Sequence, residues 1–91
     1  MTIEITKQFI KEASKLPSTV QVQVAAVIDE VRAASMITDI RHIKHLYAKK
    51  KRIYYRIRVG DYRIGMQLIN DVLYLQTVGT RGDFYKDYPP K

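Results

Sequence analysis

The sequence predicts an α+β domain: an N-terminal strand and a two-helix hairpin packed on a small antiparallel sheet, in the order β-α-α-β-β-β. Three observations predict it. Apolar residues recur at helical spacing only in the part of the chain before Arg32. Strand-like alternation fills Ile53 to Val78 and is interrupted twice by tight-turn dipeptides, Gly60-Asp61 and Asn70-Asp71. A length of 91 residues leaves room for one domain, spanning 1–91, and for no large substrate cavity.

Met1 to Ile5 alternates apolar and polar, as a short strand does, with Ile3 and Ile5 inward. Thr6 is placed to cap a helix, because its hydroxyl can accept an unpaired backbone N–H. That helix carries Phe9, Ile10, Ala13 and Leu16 on one face and stops at Pro17. Ser18 is a second candidate cap. From it Val20, Val24, Val27, Ile28 and Val31 recur with a period near 3.6, which outweighs the modest helix propensity of Val and Ile. After Met36 the pattern breaks. Ile40, Ile43 and Leu46 fit either an irregular strand or a helical turn, and Lys49-Lys50-Lys51-Arg52 reads as a polar loop. Ile53 to Val59, Tyr62 to Ile69 and Val72 to Val78 then form a meander. Its inner face holds Ile53, Tyr55, Ile57, Val59, Ile64, Met66, Leu68, Leu73 and Leu75, with the helices as cover. The segment Gly79 to Pro90 leaves the sheet, and Tyr88-Pro89-Pro90 reads as a mobile end.

Charge narrows the class of partner. The formal net charge is +7, and nine of the sixteen Lys and Arg residues fall between Arg41 and Arg63, with Asp61 the only acid among them. Such a field favours an anionic partner. The absence of Cys excludes a disulfide framework and thiol chemistry. No apolar run approaches the ~18 residues of a membrane span, and the start of the chain has no basic-then-apolar leader pattern. The expectation is a cytoplasmic protein with no membrane contact. His42 and His45 do not make a metal site: three-residue spacing puts them on opposite faces of a strand, with Asp39 the only acid nearby. No metal or cofactor is expected.

The arginines carry the sharpest signal. If the Gly60-Asp61 loop has two residues, Val59 faces Tyr62 and Arg58 faces Arg63 across the ladder, with Arg56 on the same face. Like charges directly opposite are destabilising, so such a patch points to a polyanion, of which nucleic acid is the commonest in a cell. The competing reading is a solvated sheet face neutralised by acids such as Glu4 or Asp87. Lys49, Lys50, Lys51 and Arg52 are candidate RNA-binding residues, or a solvated loop that adds long-range attraction.

The phrase Arg56-Ile57-Arg58-Val59-Gly60-Asp61-Tyr62-Arg63, followed by Gly79-Thr80-Arg81-Gly82-Asp83-Phe84-Tyr85, resembles the RelE/ParE superfamily of bacterial toxins. The resemblance covers nearly the whole chain. In the RelE branch it implies the toxin of a type II toxin–antitoxin system, a ribosome-dependent messenger-RNA endonuclease. It implies a cognate antitoxin with an acidic, often helical segment as partner. Carried over position by position, the catalytic residues are Arg56, Arg58, Arg63, Arg81 and Tyr85. Arg stands at 56 and 58 where RelE has Lys, and Thr80 stands where some relatives have His. The reaction implied is attack of a ribose 2′-OH on its own 3′-phosphate. In it Arg63 and Arg81 would hold the phosphoryl oxygens, since a planar guanidinium can bind two at once. Arg56 and Arg58 would hold the flanking backbone. Tyr85 is then the only nearby general base, provided that its pKa is lowered, or it stacks on a base. Two other activities stay open at this point: a ParE-like DNA gyrase inhibitor, and a catalytically inactive RNA-binding module.

Overall fold

Thr6 turns the chain from strand to helix as its hydroxyl chemistry predicts. In the computed structural model, which describes residues 2–90, the first strand β1 is Thr2–Ile5 and the first helix α1 is Lys7–Ser14. Met1, the start of the expected strand, lies outside the described residues. Thr6 Oγ1 accepts from the Phe9 N–H at 3.2 Å and donates to the Leu75 carbonyl at 2.9 Å, so one hydroxyl caps α1 and ties it to the sheet. The second helix α2, Ser18–Ala33, begins one residue earlier than a Ser18 cap requires. Pro17 is the cap position, and its carbonyl accepts from the Val20 and Gln21 N–H groups; Ser18 is already helical and caps nothing. Gln21 Nε2 closes the helical hairpin by donating to the Leu16 carbonyl at 2.9 Å.

Four strands follow: β2 Ile43–Lys49, β3 Arg52–Val59, β4 Tyr62–Ile69 and β5 Val72–Thr80. A single helical turn at Ile37–Asp39 precedes them. The ambiguous piece after Met36 is therefore mostly strand, and the expected Lys49–Arg52 loop is a hairpin, with Lys49 paired to Arg52 and only Lys50 and Lys51 outside the strands. The sheet order is β1-β5-β4-β3-β2. β2 to β5 form the antiparallel meander, while β1 joins β5 in parallel, Thr2 opposite Val72 and Ile5 opposite Leu75. A parallel neighbour needs a crossover, and the helical hairpin supplies it. The sheet is thus mixed, with one strand more than expected.

Both turn dipeptides behave as read. Val59 pairs with Tyr62 and Ile69 with Val72. Gly60 has φ +58°, and Asn70 and Asp71 have φ +47° and +67°, the left-handed values that tight hairpins need. The inner face holds Ile57, Ile64, Met66, Leu73 and Leu75, each almost wholly buried against Phe9, Val24 and Val31 of the helices.

The other face is not bare. A third helix α3, Arg81–Asp87, folds back across it and buries Phe84 and Tyr88 against Tyr54. The segment expected to leave the sheet therefore covers it, and Tyr88, expected in a mobile end, is 6% exposed. Gly65 makes the approach possible. A Cβ there would lie 2.9 Å from the Tyr88 ring and from Thr77 Cγ2. Beneath the helix, Tyr88 Oη donates to Gln76 Oε1, Gln76 Nε2 to Gln67 Oε1, and Gln67 Nε2 to Tyr54 Oη, at 2.7, 2.6 and 2.9 Å. The chain of bonds satisfies Gln67, which is 5% exposed. Burial also raises the Tyr88 pKa well above its ordinary value, with the nearby Tyr54 adding to the shift, so this phenol stays protonated.

Candidate functional site

Two strands and the third helix build the cluster. β3 supplies Arg56 and Arg58, and β4 supplies Arg63 directly opposite Arg58. α3 supplies Arg81 and Tyr85, four residues apart and so on one helical face. The start of α3 is pinned to the Gly60-Asp61 turn: the Arg81 N–H donates to the Asp61 carbonyl at 2.9 Å, and Thr80 Oγ1 caps the helix by accepting from the Asp83 N–H at 3.3 Å. Thr80, at the position where some toxins of the resembled superfamily have His, thus has a structural task.

Arg63 is the most buried charge among the described residues, at 8% exposed. Its Nη1 donates to the carbonyls of Gly60 and Tyr62 at 2.8 and 3.0 Å, which orients the fork from the turn behind it. Arg56 Nη1 donates to the His42 carbonyl at 2.8 Å. His42 has φ +61°, a left-handed conformation uncommon for non-glycine residues but one that His adopts more readily than most. In both arginines Nε is buried and has no hydrogen-bond partner. A buried guanidinium cannot shed its proton, so an unpartnered N–H on it is costly until an acceptor arrives. Both arginines lie on one face of the sheet, beside the Tyr85 hydroxyl.

Tyr85 is 44% exposed and presents its hydroxyl to both guanidiniums. Desolvation pushes its pKa up. The Arg56 and Arg63 donors and their charges more than offset this, so the net shift is below the ordinary phenol value. The guanidinium protons lie close enough to favour the phenolate without the alignment of a full hydrogen bond.

Arg56, Arg63 and Tyr85 are therefore brought together. Arg58 and Arg81 sit beside them in register and along the helix, but both are exposed and neither contributes to the Tyr85 shift. Acidic neutralisation of the patch does not occur among the described residues. The ion pairs there are Arg41 with Glu30 at 3.1 Å and Lys86 with Asp83 at 3.4 Å, and none touches the cluster. Lys49, Lys50, Lys51 and Arg52 lie at the opposite end of β3 from Arg58, about 20 Å along the strand, and form a separate exposed cationic turn. The His45 ring meets Tyr55 edge-on at 5.6 Å. No helix of the described residues is long and apolar enough to cross a membrane.

Comparison with known proteins gives a consistent picture. No family-level sequence profile matches the chain. Toxin RelE3 of Methanocaldococcus jannaschii is 30% identical over 90 residues, which is 98% of this chain and all of the relative. Among solved structures, the RelB-RelE antitoxin-toxin complex from Methanococcus jannaschii contains a chain that superposes with a TM-score of 0.75 at 27% identity, over 93% of this chain and 98% of that one. The archaeal RelE-RelB complex from Pyrococcus horikoshii OT3 gives 0.73 at 22% identity, over 89% and 94%. The second of these speaks for the fold alone.

Proposed function

The chain belongs to the RelE toxin family, and on that premise we propose that it is a messenger-RNA endonuclease acting on the ribosome in the cytoplasm, as the toxin of a type II toxin–antitoxin pair. The observation that carries the reading is the pair of buried, unpartnered guanidinium Nε donors on Arg56 and Arg63 beside a phenol whose pKa they lower. That arrangement suits a phosphodiester, whose oxygens gain charge as the bond breaks.

In the reaction the ribose 2′-OH attacks the adjacent 3′-phosphate. The 2′-oxygen–phosphorus bond forms, the bond to the 5′-oxygen breaks, and the products are a 2′,3′-cyclic phosphate and a free 5′-OH. Arg56 and Arg63 stabilise the charge that builds on the phosphoryl oxygens, with Arg81 at the exposed edge beside them. Arg58 holds the flanking backbone. Tyr85, as phenolate, takes the 2′-OH proton; arginine cannot, because it does not ionise within the range of protein chemistry. The proton that completes the leaving 5′-OH comes from water at this exposed edge. The lysine turn draws the strand in by long-range attraction.

The same unpaired cations make an acidic antitoxin segment the natural inhibitor. RelE chains are found with RelB in the solved complexes. A cover that binds only the folded toxin would also stabilise this small domain.

Parallel assays test the reading. In a purified translation system the protein should truncate ribosome-bound transcripts, and primer extension should map new 5′ ends within codons. In a gyrase supercoiling assay it should have no effect. Intact transcripts alongside inhibited supercoiling would replace this proposal with a ParE-like one. Intact transcripts with salt-sensitive RNA binding would reduce it to a binding module.

A further inference from the structure

Tyr47 is an aromatic side chain that the fold exposes on the arginine face without needing it there. In β2, His45 pairs with Tyr55 and Tyr47 with Tyr54, so Leu46 is one residue too many and the strand bulges. Without the bulge Tyr47 would share the face of His45. With it, Leu46 and Tyr47 both turn toward Tyr54 and α3. Bulges of this kind re-aim side chains and are common beside functional sites. Leu46 packs into the Tyr54, Phe84 and Tyr88 cluster. Tyr47 instead stacks on Tyr54, with ring centroids 6.2 Å apart and planes 29° apart, and remains 43% exposed. It lines one depression with Tyr85, Lys86 and Tyr88, and an adjoining one with Lys49, Lys50 and Arg52. The ring therefore stands between the phenol of the arginine cluster and the cationic turn.

We propose that Tyr47 is the stacking platform for a base of single-stranded RNA next to the bond cut at Tyr85, with the Lys50-Lys51 turn holding the phosphates beyond it. The proposal rests on the RNA-cutting reading above and names how that site holds its substrate. A flat ring backed by a second ring, flanked by cations on both sides, matches the way unpaired nucleotides are held: bases stack, and phosphates meet positive charge. Neither Lys50 nor Lys51 is engaged in an ion pair among the described residues, which leaves the turn free for phosphate.

The test uses an RNA oligonucleotide with 2′-O-methyl ribose throughout, which cannot be cut because the attacking hydroxyl is blocked. It carries 2-aminopurine at successive positions, whose fluorescence falls on stacking. The wild-type protein should quench one position, and Tyr47→Phe should bind and quench as well. Tyr47→Leu should bind about 5- to 150-fold more weakly and lose the quenching. A Lys50→Gln, Lys51→Gln double variant should keep the quenching and flatten the slope of log K against log salt by about 1.4. Circular dichroism checks that each variant is folded. Wild-type protein that quenches no position, or Tyr47→Leu that quenches as wild type does, overturns the proposal whatever the other variants do. The two readings fail separately. Stacking on Tyr47 with ribosome-bound transcripts left intact keeps the base platform and removes the cut placed beside it. Cleavage with no stacking does the reverse.

Discussion

Arg63 and Tyr85 meet across the gap between β4 and α3, a buried guanidinium from the strand beside an exposed phenol from the helix. Replacing Arg63 by Ala should lower transcript cleavage by about 10²- to 10³-fold, the usual effect of losing one donor to a developing oxyanion. Arg63→Lys should recover only part of this, because an ammonium keeps the charge and loses the fork. The unfolding midpoint of Arg63→Ala should also fall, since the Gly60 and Tyr62 carbonyls lose their donor, so activity is compared per folded molecule. Growth arrest on expression and a urea melt together check both halves.

The phenol should ionise early. Arg56 and Arg63 pull the Tyr85 pKa below the ordinary value, so a difference titration of wild type against Tyr85→Phe should show a tyrosinate forming below the usual phenol range. Removing either arginine should move that ionisation back up. The sign for stability follows. The folded state releases the Tyr85 proton at lower pH than the unfolded state does. Stability relative to Tyr85→Phe should therefore rise with pH through that window, from the folded pKa up to the unfolded one. The gain is small because the side chain is exposed. A flat difference across alkaline pH would contradict the geometry at the hydroxyl.

Gly65→Ala should separate the helix from the sheet. The added carbon would lie 2.9 Å from the Tyr88 ring, which must shift. A loss of about 1–3 kcal/mol is expected from the overpacking. Cleavage should fall with it although no catalytic side chain has changed, because Arg81 and Tyr85 ride on the displaced helix. Denaturant melts and faster amide exchange in Arg81–Asp87 would register both effects.

Thr6→Ala should cost about 1 kcal/mol for the lost cap, and somewhat more because the same hydroxyl donates to the Leu75 carbonyl. Thr6→Ser should restore most of it. Cleavage per folded molecule should be unchanged, since the Thr6 hydroxyl bonds to α1 and β5 and to no residue of the arginine cluster. Paired urea melts and activity assays distinguish this from a site effect.

Much of the frame could be read before the structure was seen. The two tight turns and the alternation of Ile57, Val59, Ile64 and Met66 set which residues face inward, and they put Arg58 opposite Arg63. What stayed hidden depended on partners far along the chain. A bulge breaks the period of β2, so Ile43 and Leu46 looked three apart on no definite face. α3 has seven residues, too few for a helical period, and its burial depends on Tyr54 and on the absence of a side chain at Gly65. The sequence could say which way Arg63 points. It could not say that the helix and the turn would bury it and leave its Nε without a partner.

The pairing of β1 with β5 joins Thr2 to Val72, so β1 has no neighbour in the sheet until β5 has been made. The helix bearing Arg81 and Tyr85 emerges later still. Until α3 has been made, the phenol of Tyr85 is missing from the arginines of β3 and β4, and a nascent chain holds no assembled cluster.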